Sequence, residues 1–264
     1  KAFSSSFVLR EITNPNSIVS IGDRAFTGCH SFRLGGLLDS VETIGNRAFA
    51  ESIFRSIKIP RSVVSFRGNP FAMCTYLAKI DVSENPNFVF VDGVLIDIRT
   101  NQLIYCNPTK SGNYLIPDTV TTICAGAFYK CYFIKAISIP DSVTSIGDKA
   151  FFYCTELESI KFPNATVSIG KEVFHGCKRL RSVVIPDSVE EIGGNVFCNC
   201  SLLYTVQITK SIDSPSWFSR LFRKRAVERA ANYKMDKGVL FDKDMTRLIW
   251  CSPEKSGSLN IPNT

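Results

Sequence analysis

Apolar and polar positions alternate along this chain in a unit that returns every 23 residues. With Asp118, Asp141, Asn164 and Asp187 set in register, the segments read DTVTTICAGAFYKC, DSVTSIGDKAFFYC, NATVSIGKEVFHGC and DSVEEIGGNVFCNC. The units close on Ile139-Pro140, Phe162-Pro163 and Ile185-Pro186. Earlier openings fall near Asn16, Asp39 and Arg61, after a partial unit from Lys1 to Pro15. A fixed period of about 20 to 50 residues marks stacked units, because one unit cannot bury its apolar face alone.

Within one unit the physics is readable. Leu180, Val183 and Ile185 predict a short inward-facing strand, which Pro186 ends because it has no N–H to give a ladder. Val189 and Ile192 then point inward across a turn, and Gly193 lets the backbone bend. Val196, Phe197 and Cys200 fall on the inward side of a short helical turn. The unit thus predicts an α/β repeat solenoid with one short parallel strand per turn.

Two segments break the period and resemble each other at a constant offset of 145 residues. Asp92-Gly-Val-Leu-Ile-Asp…Leu103-Ile-Tyr-Cys matches Lys237-Gly-Val-Leu-Phe-Asp…Leu248-Ile-Trp-Cys. Each predicts a β-hairpin island, two short strands around a polar turn at 97–102 or 242–247. The expected layout is a single array: repeats over 1–82, an island over 83–117, repeats over 118–208, an inserted basic helix over 209–233, and a second island with the start of another repeat over 234–264. Both ends fall inside a unit and neither carries a polar cap. The chain is therefore expected to be a fragment of a longer array.

The stretch SVTSIGDKAFFYCTELESIKFP (Ser142 to Pro163) resembles the leucine-rich repeats of the BspA type, and islands opening on DGVL and KGVL are similar to inserts in that family. The resemblance covers the chain except residues about 209 to 232. It implies a right-handed superhelix with a strand from each unit lining one face. It also implies a cell-surface or secreted protein of adhesive function, with a host matrix or surface protein among its partners.

Hydrophobic residues make up 45% and charged residues 21% of the chain, which suits a folded protein. No apolar run reaches the length of a membrane span. Among ten cysteines, Cys29, Cys74, Cys131, Cys154, Cys177 and Cys200 share one place in the unit, where Ser6 and Ser52 stand in two others. Such residues stack as small core side chains, and parallel Cβ vectors about 4.8 Å apart do not suit a disulfide. Free buried thiols are the expectation; Cys124 and Cys198 lie off the column and are the two to test for bridging. The only histidines, His30 and His175, read as exposed turn residues, and a His175–Cys177 or His175–Cys154 nucleophilic pair as a turn residue beside a core thiol. The sequence offers no zinc-ligand spacing, phosphate loop or nucleophile elbow. No enzyme, metal or cofactor is expected.

Two places could bind. The outward strand residues, including Lys58, Ser138, Lys161 and Gln207, make a flat, small, hydrogen-bonding face without aromatic anchors, suited to a large extended partner. The second is the insert, where Ser214 caps and Pro215 opens a helix. Trp217, Phe218, Leu221 and Phe222 take one side, and Arg220, Arg223 and Lys224 the other; Arg225 and Arg229 return toward the apolar sector. Over residues 214–231, five basic residues against Glu228 give it +4 of the chain's +7. It could pack on the solenoid flank, dock an acidic partner or glycan, or lie on a membrane surface; nucleic acid is a poor fit to so small a patch. The function classes left open are a non-enzymatic protein-interaction module, a structural spacer presenting another domain, and a carbohydrate- or anionic-polymer-binding module.

Overall fold

The computed structural model describes residues 2–12, 17–33, 37–186 and 188–209 and the strands Tyr233–Asp236, Val239–Asp242 and Leu248–Cys251, with backbone alone at 205 and from 207 onward. The chain divides into two compact units, residues 1–110 with 122–131, and residues 111–121 with 132–264. Each is a β-solenoid.

The first unit holds β1 (Ser20–Ile21), β2 (Thr43–Ile44), β3 (Ser56–Lys58), β4 (Ser65–Phe66), β5 (Lys79–Asp81), β6 (Phe88–Val91), β7 (Val94–Asp97) and β8 (Gln102–Cys106); β9 (Ser111–Leu115) belongs to the second unit and β10 (Thr122–Ile123) again to the first. Strands β1, β2 and β4 pair in parallel, as do β3 and β5, with Ile57 opposite Ile80. The island adds β6, β7 and β8 in antiparallel order, one strand more than its sequence suggests. Buried Asp97 shapes its turn by accepting the N–H groups of Arg99 (2.9 Å) and Thr100 (3.1 Å). Phe26, Phe49 and Phe71 stack at 5.6 and 6.2 Å, and Tyr105 of the island meets Phe71 edge-on. Its hydroxyl donates to the carbonyls of Cys74 (3.0 Å) and Leu77 (2.7 Å), which satisfies a polar group the core would otherwise strand.

The second unit continues with β11 (Phe133–Ser138), β12 (Ser145–Ile146), β13 (Ser159–Lys161), β14 (Ser168–Ile169), β15 (Ser182–Pro186), β16 (Glu191–Ile192), β17 (Thr205–Thr209), β18 (Tyr233–Asp236), β19 (Val239–Asp242) and β20 (Leu248–Cys251). Its main parallel sheet runs β9, β11, β13, β15, β17, with Ile137, Ile160, Val183 and Val206 in register. A second ladder joins β12, β14 and β16, so each turn carries two strands where the sequence predicts one. The second strand is too short for its alternation to be read. Strands β18, β19 and β20 repeat the antiparallel island.

The repeat solenoid is as expected, but its α part is only loosely supported: the expected helical turn is absent and the described residues contain no α-helix. The reason is two left-handed residues in each arc, for example Lys149 (φ 57°) and Tyr153 (φ 58°), then Glu172 (φ 53°) and Gly176 (φ 74°). They make alternate N–H groups face the next turn. Lys149, Phe151 and Tyr153 donate to the carbonyls of Lys171, Val173 and His175 at 2.8 to 3.0 Å, while Ala150, Phe152 and Cys154 bond three residues back. Every arc N–H in this stretch is thereby paired without a helix. Phe151, Phe174 and Phe197 stack inside the arcs at 5.4 and 5.8 Å, within 7° of parallel.

Candidate functional site

In the second unit the strand face is open and shallow. Inward residues Ile137, Ile160 and Val183 are buried, so the alternate residues of β11 and β13 must face solvent. At the C-terminal ends of β9, β11 and β13 they line a groove of about 560 Å³ with Leu115, Ala136, Ser138, Ser159, Lys161 and Asp141 on its walls. Ser138 and Lys161 stand opposite each other in the ladder, so these two expected site residues share one surface. Leu115 is 68% exposed and supplies an apolar contact that the sequence reading of this face lacks.

At the other end of the same strands lies a groove of about 490 Å³, bordered by Ser111, Tyr132, Phe133, Lys135, Thr155 and Glu156. Phe133 is 54% exposed, and its ring meets that of Tyr132 edge-on at 6.4 Å. The β9–β11 pairing shifts between Ile134 and Ala136, leaving Lys135 as the extra residue of a bulge. The flat face without aromatics is therefore corrected by Phe133. The signal was available: the next two units place Glu156 and Arg179 where this one has Phe133.

The other expected residues are dispersed. Lys58, in the first unit, is held by Glu84 at 2.8 Å, whose hydrogen bond and charge keep its ammonium above the ordinary lysine value. Gln207 lies on β17 opposite Val184; its side chain is not described. Trp217, Phe218, Arg220, Arg223, Lys224, Arg225 and Arg229 lie outside the described residues, and the helix expected there with them.

None of the nine cysteines with described side chains forms a disulfide, and all but Cys198 are buried. Four column thiols donate to the carbonyl of a phenylalanine in the preceding turn, Cys29 to Phe3 and Cys74 to Phe49, both at 3.0 Å, Cys177 to Phe151 at 3.2 Å, and Cys200 to Phe174 at 3.0 Å, while Cys131 turns to the carbonyls of Cys106 and Asn107 at 3.8 Å. Each of the four phenylalanine carbonyls also accepts a backbone N–H, from Ser6, Ser52, Cys154 and Cys177 respectively, so the thiol adds a second bond that ties one turn to the next. Burial pushes Cys74, Cys124 and Cys200 up to about 12, and Cys177 well above the ordinary thiol value. Since the thiolate is the reactive form, brief alkylation of the folded protein followed by peptide mass mapping should label Cys198 alone among these nine. Labelling of Cys74 or Cys177 at a similar rate would refute the buried column.

His30 is exposed as expected, but His175 is half-buried. It stacks on Phe152 at 4.7 Å and approaches Tyr153 at 5.6 Å, with Nε2 3.1 Å from Asn199 Nδ2. The correction follows from neighbouring turns presenting aromatic rings at adjoining positions, so the imidazole joins their pile. The thiol of Cys177 is committed to Phe151, so the His175–Cys177 pair does not form. Among the described residues no three His, Cys, Asp or Glu side chains converge as metal ligands, and no helix is long and apolar enough to cross a membrane.

Stacked turns around a thiol and phenylalanine core, with a shallow strand face left open, define a repeat scaffold. The chain belongs to the BspA-type leucine-rich repeat family: the region described as "BspA type Leucine rich repeat region" matches in six copies over residues 1–92 and 97–220. It is similar to a leucine rich cell surface protein from Faecalibacterium prausnitzii A2-165, at 28% identity and TM-score 0.62, over 80% of this chain and 62% of that one. It is also similar to the pneumococcal vaccine antigen PcpA, at 29% identity and TM-score 0.67, over 80% of this chain and 53% of that one. The chain therefore spans less than two thirds of either structure. A leucine-rich repeat protein from Eubacterium ventriosum ATCC 27560, at 24% identity and TM-score 0.61 over 79% and 68% of the two chains, shares the fold. A comparison with curated protein sequences finds no match.

Proposed function

We propose that the chain is a non-enzymatic interaction module of a cell-surface or secreted protein, binding a protein partner through the strand face of its second unit. The observation that carries this reading is the groove across β9, β11 and β13, where exposed Leu115 adjoins Ser138 and Lys161 on a hydrogen-bonded sheet. A preformed surface loses little conformational freedom on binding, and a shallow groove suits an extended protein segment better than an enclosed small molecule. The family and the cell-surface name of one similar structure support the location.

The test is a binding panel of purified extracellular-matrix and host surface proteins, run by surface plasmon resonance with the intact chain. At least one member should bind with a Kd of about 1 μM or tighter. The triple substitution Arg220→Glu, Arg223→Glu, Lys224→Glu is run beside it and should leave that affinity within about threefold. Absence of binding across the panel would leave the spacer reading. Binding abolished by the triple substitution would move the site to the basic segment.

A further inference from the structure

We infer that the second groove of this unit, at the start of β11, is a binding site for a neutral saccharide, separate from the protein-binding face proposed above. Four observations meet there. Phe133 offers a large exposed ring at a position where the following two units carry Glu156 and Arg179, which pair with each other at 3.1 Å. The fold thus tolerates charge at this position, and packing does not require a phenylalanine. The bulge sets Lys135 at the groove wall, and Lys135 enters no ion pair among the described residues. Gly112 has a left-handed backbone (φ 76°), and a methyl group there would meet nothing within 4 Å, so the side of the groove it borders is open. Finally, the wall carries one cation, Lys135, one anion, Glu156, and the hydroxyls of Ser111, Tyr132 and Thr155.

That combination selects by chemistry. An aromatic face carries partial negative charge and attracts the weakly positive C–H face of a pyranose ring. The sugar's hydroxyls each need a donor or an acceptor once water is displaced. Lys135 only donates, the carboxylate of Glu156 only accepts, the hydroxyls of Ser111 and Tyr132 do both, and that of Thr155, which donates to the Tyr132 carbonyl at 3.5 Å, is left to accept. Glu156 uses Oε2 for Arg179 and keeps Oε1 for a ligand. Because Glu156 is paired with Arg179, Lys135 is the one uncompensated charge of the wall, a single cation too few for an anionic polymer, and 490 Å³ is room for one or two sugar rings rather than a chain.

The experiment is titration of the intact 15N-labelled chain with neutral disaccharides (lactose, N-acetyllactosamine, cellobiose and maltose), followed by amide shifts. The expected result is saturable shifts at Gly112, Tyr132, Phe133 and Thr155 with at least one disaccharide. Phe133→Ala should weaken that binding at least tenfold, while Phe133→Trp retains it. Leu115→Asp, in the other groove, should leave it unchanged; since Leu115→Asp is also expected to weaken protein binding, the two proposals fail separately. No shifts with any of the four sugars would overturn the inference. So would shifts that Phe133→Ala leaves intact, or binding only of sulfated or sialylated sugars. Circular dichroism and the melting temperature of Phe133→Ala must match the parent; if that variant unfolds, Lys135→Met replaces it, with the same tenfold loss expected.

Discussion

Phe174→Ala is expected to destabilise the second unit by about 3–5 kcal/mol, the range for removing a fully buried phenylalanine. Phe174 has no exposed surface and stands at the centre of an aromatic cluster. It stacks on Phe151 and Phe197, and Phe162 meets it edge-on at 5.7 Å. Removing the ring therefore opens a cavity between three turns at once. In a stacked array stability is a sum of turn and interface terms, so losing two interfaces should lower the urea midpoint and broaden or split the transition. Phe133→Ala is the control: its exposed ring should cost no more than about 0.5 kcal/mol. Equal midpoints for Phe174→Ala and the parent would show that the stacked core is wrong.

Gly170→Ala is expected to be the second most costly change, at about 1–3 kcal/mol for overpacking, plus about 1 kcal/mol for a disturbed hydrogen bond. A methyl group on Gly170 would stand 2.5 Å from the backbone nitrogen of Asp148 and 2.6 Å from its Oδ1. That oxygen accepts the N–H of Lys171 at 2.8 Å, so the same methyl displaces a contact that ties one turn to the next. Backbone cannot swing aside as a side-chain tip can. Gly45 makes the same approach to Asp23, whose Oδ1 accepts the N–H of Asn46 at 2.8 Å. Gly22, at the same place in its unit, has nothing within 4 Å of an added methyl, and Gly22→Ala should change stability by less than about 0.5 kcal/mol. Thermal unfolding of the two alanine variants separates these cases. Similar losses at Gly22 and Gly170 would mean that the glycine serves backbone bending, as the sequence suggests, and not close approach.

That glycine illustrates where sequence reasoning stops. The period, the inward residues and the cysteine column were legible because one residue type recurs at one place and burial follows it. The close approach at Gly170 was not, since it depends on how tightly two turns sit, which no single unit encodes. The helical turn failed for a related reason. Val196, Phe197 and Cys200 have the spacing of a helix face, but the left-handed positions that forbid one are filled by Asn195 and Asn199 here and by Lys149 and Tyr153 elsewhere. Gly28, Gly126 and Gly176 are the arc positions whose glycine discloses the conformation. Of the candidate site, Ser138 and Lys161 could be named from alternation, Phe133 only by comparison with Glu156 and Arg179 in the next two units, and Leu115 not at all. Leu115 lies on β9, which comes from the island and pairs along the six-residue strand β11 from Phe133 to Ser138.

The claim that the strand face of the second unit holds the partner is tested most directly by Leu115→Asp combined with Lys161→Glu. Both side chains are exposed, so the melting temperature should stay within about 2 °C of the parent's. Affinity for whichever matrix or surface protein the intact chain binds should fall at least tenfold, about 1.4 kcal/mol. An unchanged affinity in this folded double variant would contradict the account.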